Sequence, residues 1–77
     1  MKIEIFGTGC AKCQKTGQEV ERVVKELGVD ATIEHVTEMK EIVARGVTLT
    51  PAVFIDGKKK VEGKVPKATD IESWLRA

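Results

Sequence analysis

The sequence predicts an α/β fold of order β-α-β-α-β-β-α, a four-stranded mixed sheet flanked by three helices. Three observations carry that expectation. A short alternating apolar stretch at residues 2–6 passes into a long stretch with helical periodicity. The unbroken apolar run Ala52-Val53-Phe54-Ile55 reads as a buried strand, and Asp56-Gly57 directly after it is a strong hairpin signal. A chain of 77 residues has room for one domain, spanning 1–77, around one small core.

Each element follows from local pattern. Ile3 and Ile5 alternate with Lys2 and Glu4, and Phe6 extends the run, which makes residues 2–6 the first strand; Gly7-Thr8-Gly9 ends it. From Ala11 to Leu27, Val20, Val23, Val24 and Leu27 recur at one-turn spacing, with Thr16 and Cys13 extending that face backwards. Gly28 is the expected stop. Ala31 to Val36 is the second strand, and a helix connecting it to the first requires a parallel pair with a right-handed crossover. Thr37 is placed to cap a short helix carrying Met39, Ile42 and Val43, which Gly46 closes. Beyond Asp56-Gly57, Lys59 to Glu62 returns antiparallel, Gly63 to Pro66 forms a loop, and Ala68, Ile71, Trp74 and Leu75 give the last helix its buried face. Met39, Trp74 and the Val20, Val23 and Val24 stripe are read as core. Gly17 costs the first helix about 1 kcal/mol relative to alanine, and close packing is the one reason the sequence offers for it.

Thirteen basic and twelve acidic residues leave a formal charge of +1, so no overall field argues for nucleic acid or an acidic membrane. With no tyrosine, and Phe6, Phe54 and Trp74 the only aromatics, a base-stacking surface is not expected. No apolar run is long enough to cross a bilayer, and Met1-Lys2 leads straight into the first strand without a signal segment. A cytoplasmic monomer is the expectation. Lys58-Lys59-Lys60 reads as a solvated hairpin that discourages edge pairing, and His35 as a packed or surface histidine. Gly7-Thr8-Gly9 with Lys12 has neither the Walker spacing nor the dinucleotide fingerprint of a phosphate cradle.

The only two cysteines frame Cys10-Ala11-Lys12-Cys13 at the junction of strand and helix. A cysteine at a helix start meets the positive end of the peptide dipoles and unpaired N–H groups, both of which favour thiolate over thiol. The second cysteine lies one turn on and reaches the first sulfur. A bond between them closes a loop too small to remove much unfolded-chain entropy, so the pair is not a stabilising staple. Two cysteines also fall short of a secreted disulfide scaffold. Besides redox chemistry, the pair admits a soft-metal carrier for copper or zinc and a non-catalytic protein-interaction module. Small metal carriers place a Met where this chain has Thr8, and finish on a strand where this chain finishes on a helix. A closed zinc site needs four ligands and only His35 is an additional donor, so no metal ligands are assigned.

The element order, the match of Gly7, Cys10 and Cys13 to Gly-x-x-Cys-x-x-Cys, and the match of Gly46-Val47-Thr48-Leu49-Thr50-Pro51 to a lead into a cis-proline resemble the thioredoxin superfamily in its minimal, glutaredoxin-sized form. The resemblance covers nearly the whole chain and is nearest to small prokaryotic redox-active disulfide proteins. It implies a minimal thioredoxin fold and a thiol-disulfide oxidoreductase that exchanges electrons with protein disulfides. Cys10 is then the nucleophile and Cys13 the resolving thiol. Lys12 adds positive charge which, with the helix end, lowers the Cys10 pKa from about 8.5 into the range of roughly 3.5–7.5. Pro51 follows a cis bond, the Thr50 backbone lies beside the thiols to pair with an extended substrate, and Gly63 keeps the surface low for a partner. Electrons come from a thioredoxin-reductase-like flavoprotein, since the chain has neither length nor motif for a cofactor beyond its own Cys10–Cys13 disulfide. Ala11-Lys12 is neither the Gly-Pro of thioredoxins nor the Pro-Tyr of glutaredoxins. Gly63 followed by Lys64 departs from the glycine pair and acid that bind glutathione, so glutathione is not the favoured partner. No carboxylate presents itself as proton acceptor for Cys13, and the buried acid of larger thioredoxins finds no Asp or Glu match.

Overall fold

Alternation along the first strand sends Ile3 and Ile5 to one side of a sheet and Glu4 and Phe6 to the other, and the whole fold is arranged on those two faces. The structure is a computed structural model describing residues 1–76. Its elements are β1 (Lys2–Phe6), α1 (Ala11–Leu27), β2 (Thr32–Val36), α2 (Met39–Ala44), β3 (Ala52–Ile55), β4 (Lys58–Glu62) and α3 (Ala68–Arg76), in the expected order β-α-β-α-β-β-α. The strands lie in the order β2-β1-β3-β4. β1 pairs parallel with β2 and antiparallel with β3, and β3 pairs antiparallel with β4. This is the minimal thioredoxin fold.

On one face Ile3, Ile5, Val53 and Ile55 form a core with Val20 and Val23 of α1 and Ile71 and Leu75 of α3; Val24 and Trp74, partly buried, pack against it. On the other face Phe6, Val36, Ala52 and Phe54 cluster with Ile42 and Val47. Each fully buried side chain of this size contributes about 1.5–3 kcal/mol relative to exposure. The β3–β4 hairpin turns through Asp56 and Gly57, with φ of 51° and 82°, the two positive values that a two-residue turn between twisted strands requires. Val53 faces Val61 while Phe54 faces Lys59, so Lys60 is an extra residue and β4 bulges there.

Several details differ from the sequence expectation. β2 begins at Thr32 rather than Ala31, and β4 at Lys58. Glu38, not Thr37, is the N-cap of α2, and it makes no side-chain cap bond. Met39, read as core, is 59% exposed; Val43 is 64% exposed, and α2 buries only Ile42. The reason is that a helix of six residues seats one side chain firmly, and the rest of the aromatic surface beneath is covered by Arg45. Its guanidinium carbon lies 5.2 Å from the centroids of both Phe6 and Phe54. Its two terminal nitrogens donate to Glu4 at 2.8 and 2.9 Å. Arg45 thereby holds the Glu4 carboxyl below the usual carboxylate range, although burial pushes it the other way.

Candidate active site

The register gathers three loops at one end of the sheet. Phe6, just before the cysteine loop, is opposite Val36 of β2 and Ala52 of β3, and Ala52 is opposite Glu62 at the end of β4. Gly7, Pro51 and Gly63 therefore emerge side by side, and two bonds tie them in place. Gly7 N–H donates to Val36 O at 3.0 Å, and Gly63 N–H donates to Pro51 O at 2.8 Å.

Cys10 occupies the N-cap of α1 in extended backbone, with φ −68° and ψ 167°. Its Sγ takes the place of the oxygen that usually satisfies a free N–H at a helix start: it accepts from the Cys13 N–H at 3.3 Å. The two sulfurs stand 2.6 Å apart, with Cys10 exposed and Cys13 buried, both as free cysteines. No acidic residue occupies the first turn of α1 to oppose a negative charge there. The Cys10 thiol is pushed below its ordinary range, chiefly by the hydrogen bond with the Cys13 side chain and then by the Cys13 backbone N–H. The backbone N–H groups of Lys12 and Cys10 add smaller contributions, and burial opposes them. Lys12 contributes its main-chain N–H, and its side chain is exposed. Gly7 makes the room that Cys13 occupies. A Cβ at position 7 would lie 2.8 Å from Cys13 Cβ and closer still to its sulfur.

The Thr50–Pro51 peptide is cis and Pro51 is fully buried. Thr50 is half-buried and lines a groove with Thr8 of the cysteine loop. Glu62, which the sequence did not single out, holds the segment leading into Pro51. One carboxylate oxygen accepts from Thr48 N–H at 2.8 Å, Thr48 Oγ1 at 3.1 Å and Leu49 N–H at 3.2 Å. The other accepts from Lys59 Nζ at 2.8 Å. Lys59 first, then these loop donors, hold the Glu62 carboxyl down at about 2. The signal that was available is an acid closing an otherwise lysine-rich strand, immediately before Gly63. Gly63 carries Leu49 above it: a Cβ there would sit 3.1 Å from Leu49 Cβ and Cδ1. Leu49 is 62% exposed at this end of the molecule.

Residues 1–76 match a family model described as a thioredoxin domain. The chain belongs to the thioredoxin family. It is similar to the thioredoxin of Methanothermobacter thermautotrophicus, 43% identical over 75 residues that make up 97% of each chain. It is likewise similar to the thioredoxin of Methanocaldococcus jannaschii, 45% identical over 97% of this chain and 86% of that relative. Membership makes the protein a thiol-disulfide oxidoreductase in general terms, of a class that meets disulfide substrates and reductases. Among the described residues no three His, Cys, Asp or Glu side chains converge as a metal-ligand group, and no helix is long and apolar enough to cross a membrane.

Proposed function

We propose that this thioredoxin-family chain carries electron pairs from a thioredoxin-reductase-like flavoprotein to protein disulfides, with Cys10 as nucleophile and Cys13 as resolving thiol. The observation that carries the reading is the sulfur pair itself: an exposed, acid-shifted thiol with a buried one 2.6 Å behind it. The Cys10 thiolate attacks one sulfur of the substrate disulfide, the first substrate thiolate leaves, and a mixed disulfide forms. Cys13, as thiolate, then attacks Cys10 Sγ, and the second substrate thiolate leaves. Two electrons have passed from the chain to the substrate, the Cys10–Cys13 disulfide has replaced the dithiol, and the flavoprotein restores it. No further cofactor takes part.

Thr50, Pro51 and Gly63 form the docking floor in this reading, supported by their place beside the cysteine loop and by the Gly63–Pro51 bond. An extended substrate segment pairs with the Thr50 backbone. The protein works as a monomer in the reducing cytoplasm, where an exposed dithiol persists. Dithiothreitol-dependent insulin reduction by wild type and Cys10→Ala tests the assignment. Wild type accelerates the reaction and the variant does not; equal rates would end the reading.

A further inference from the structure

A cleft between α1 and the edge strand β2 has no part in the chemistry above, yet Cys13 forms one of its walls. Its volume is about 280 Å³, enough for a short chain of solvent molecules at about 30 Å³ each. His35, Glu21 and Gly17 line it as well. Gly17 is what seats the histidine: a Cβ there would lie 2.9 Å from His35 Cε1 and 3.6 Å from Nδ1. The glycine that weakens α1 therefore lets an imidazole lie against the helix one turn beyond Cys13.

The imidazole is also oriented. His35 Nε2 lies 3.2 Å from Glu21 Oε1; an ionised carboxylate only accepts, so in the neutral imidazole the proton sits on Nε2 and the lone pair on Nδ1. Nδ1 is the ring nitrogen turned toward the Gly17 wall. Among the described residues lining the cleft, Cys13 and Glu21 of α1 and His35 of β2 are the only titratable groups; β1 and its loop add only apolar and glycine positions. Imidazole is the side chain whose ordinary titration spans neutral pH, and a thiol must lose its proton before it attacks.

We propose that His35, oriented by Glu21, accepts the Cys13 proton when the mixed disulfide resolves. The inference rests on the roles given above to Cys10 and Cys13. The proton passes from Cys13 Sγ through solvent in the cleft to Nδ1. The Cys13 sulfur bonds to Cys10 Sγ, the Cys10–substrate S–S bond breaks, and the departing substrate thiolate takes a proton back from the imidazolium or from water. Glu21 is a positioning residue, holding the tautomer and stabilising the transient positive charge. Because the cleft is open to solvent, His35 is worth about tenfold in the resolution rate, less than the hundredfold or more of an enclosed base.

Stopped-flow reaction of the reduced protein with excess Ellman's reagent separates the steps. The first thionitrobenzoate is released in a phase that depends on reagent concentration, when Cys10 attacks. The second appears in a concentration-independent phase, when Cys13 resolves. His35→Ala is expected to slow the second phase about tenfold near neutral pH while sparing the first. The deficit narrows as pH rises and Cys13 ionises unaided, and added imidazole restores the rate. His35→Gln, which keeps the size of the side chain on an exposed edge strand, shows the same deficit. A second phase unchanged in both variants, or slowed without rescue by imidazole, overturns the proposal. A wild type lacking the first phase, or a Cys10→Ser variant retaining it, instead overturns the role of Cys10 itself and removes the basis of the proposal.

Discussion

Around Cys10 the contacts are few and local: its sulfur is hydrogen-bonded to the side chain and N–H of Cys13, while the Gln14 side chain steadies Gly9 through a 3.0 Å bond to its carbonyl. Around Pro51 they are many and cross the chain, with Glu62 accepting from Thr48, Leu49 and Lys59, and Gly63 bonded to the Pro51 carbonyl. The difference matches the work proposed for each side. A sulfur that exchanges covalent partners in every cycle cannot be clamped by distant groups, and its reactivity is set instead by the neighbouring Cys13 side chain and the helix end it caps. A surface that receives an extended partner keeps its shape without the partner's help, and cross-chain hydrogen bonds to one anion supply that preorganisation.

The contrast can be broken from either side. The largest effect is expected at Gly7, where the cysteine side depends on empty space. Gly7→Ala would press a methyl group into Cys13, lowering stability by about 1–3 kcal/mol through overpacking. Urea unfolding of the reduced protein measures this, and the lost stability should be accompanied by slower disulfide reduction. A smaller effect is expected on the braced side. Glu62→Ala frees the Thr48–Leu49 segment and raises KM for a protein disulfide about tenfold, while iodoacetamide labelling of Cys10 proceeds at the wild-type rate. The same brace is acid-sensitive with a definite sign. Because the folded Glu62 carboxyl titrates at about 2 against an ordinary 4.5, its contribution is complete above 4.5 and is lost as pH falls from there through about 2. The smallest effect is expected at Lys12. Since its side chain is exposed, Lys12→Gln should change the labelling rate at neutral pH by less than about twofold, as befits a screened charge.

Much of this was legible from residue pattern alone. Ile3, Ile5 and Phe6 announced β1 by alternation, the valine stripe announced α1, and Asp56-Gly57 announced the hairpin, because each signal is local and each was satisfied locally. The cysteine loop was legible for the same reason. α2 was misjudged at Met39, which has helical spacing but is exposed, while Arg45, a charged residue, lies over Phe6 and Phe54. Glu62 and the Gly17–His35 contact stayed hidden because both join segments far apart in sequence. Lys12 was legible as a charge near a thiol, yet nothing in the sequence says that its main-chain N–H also acts on Cys10.

The most direct test of the central claim is the rate of Cys10 alkylation by iodoacetamide as a function of pH in the reduced wild type. The thiolate is the reacting species, so the midpoint of the curve reports the Cys10 pKa. With the Cys13 side chain and the helix N–H groups acting as described, the midpoint falls below the ordinary thiol value of about 8.5, and Cys13→Ala moves it back up by removing the first of those causes. A wild-type midpoint at or above about 8.5, unmoved by Cys13→Ala, would contradict the claim that the start of α1 makes this sulfur reactive.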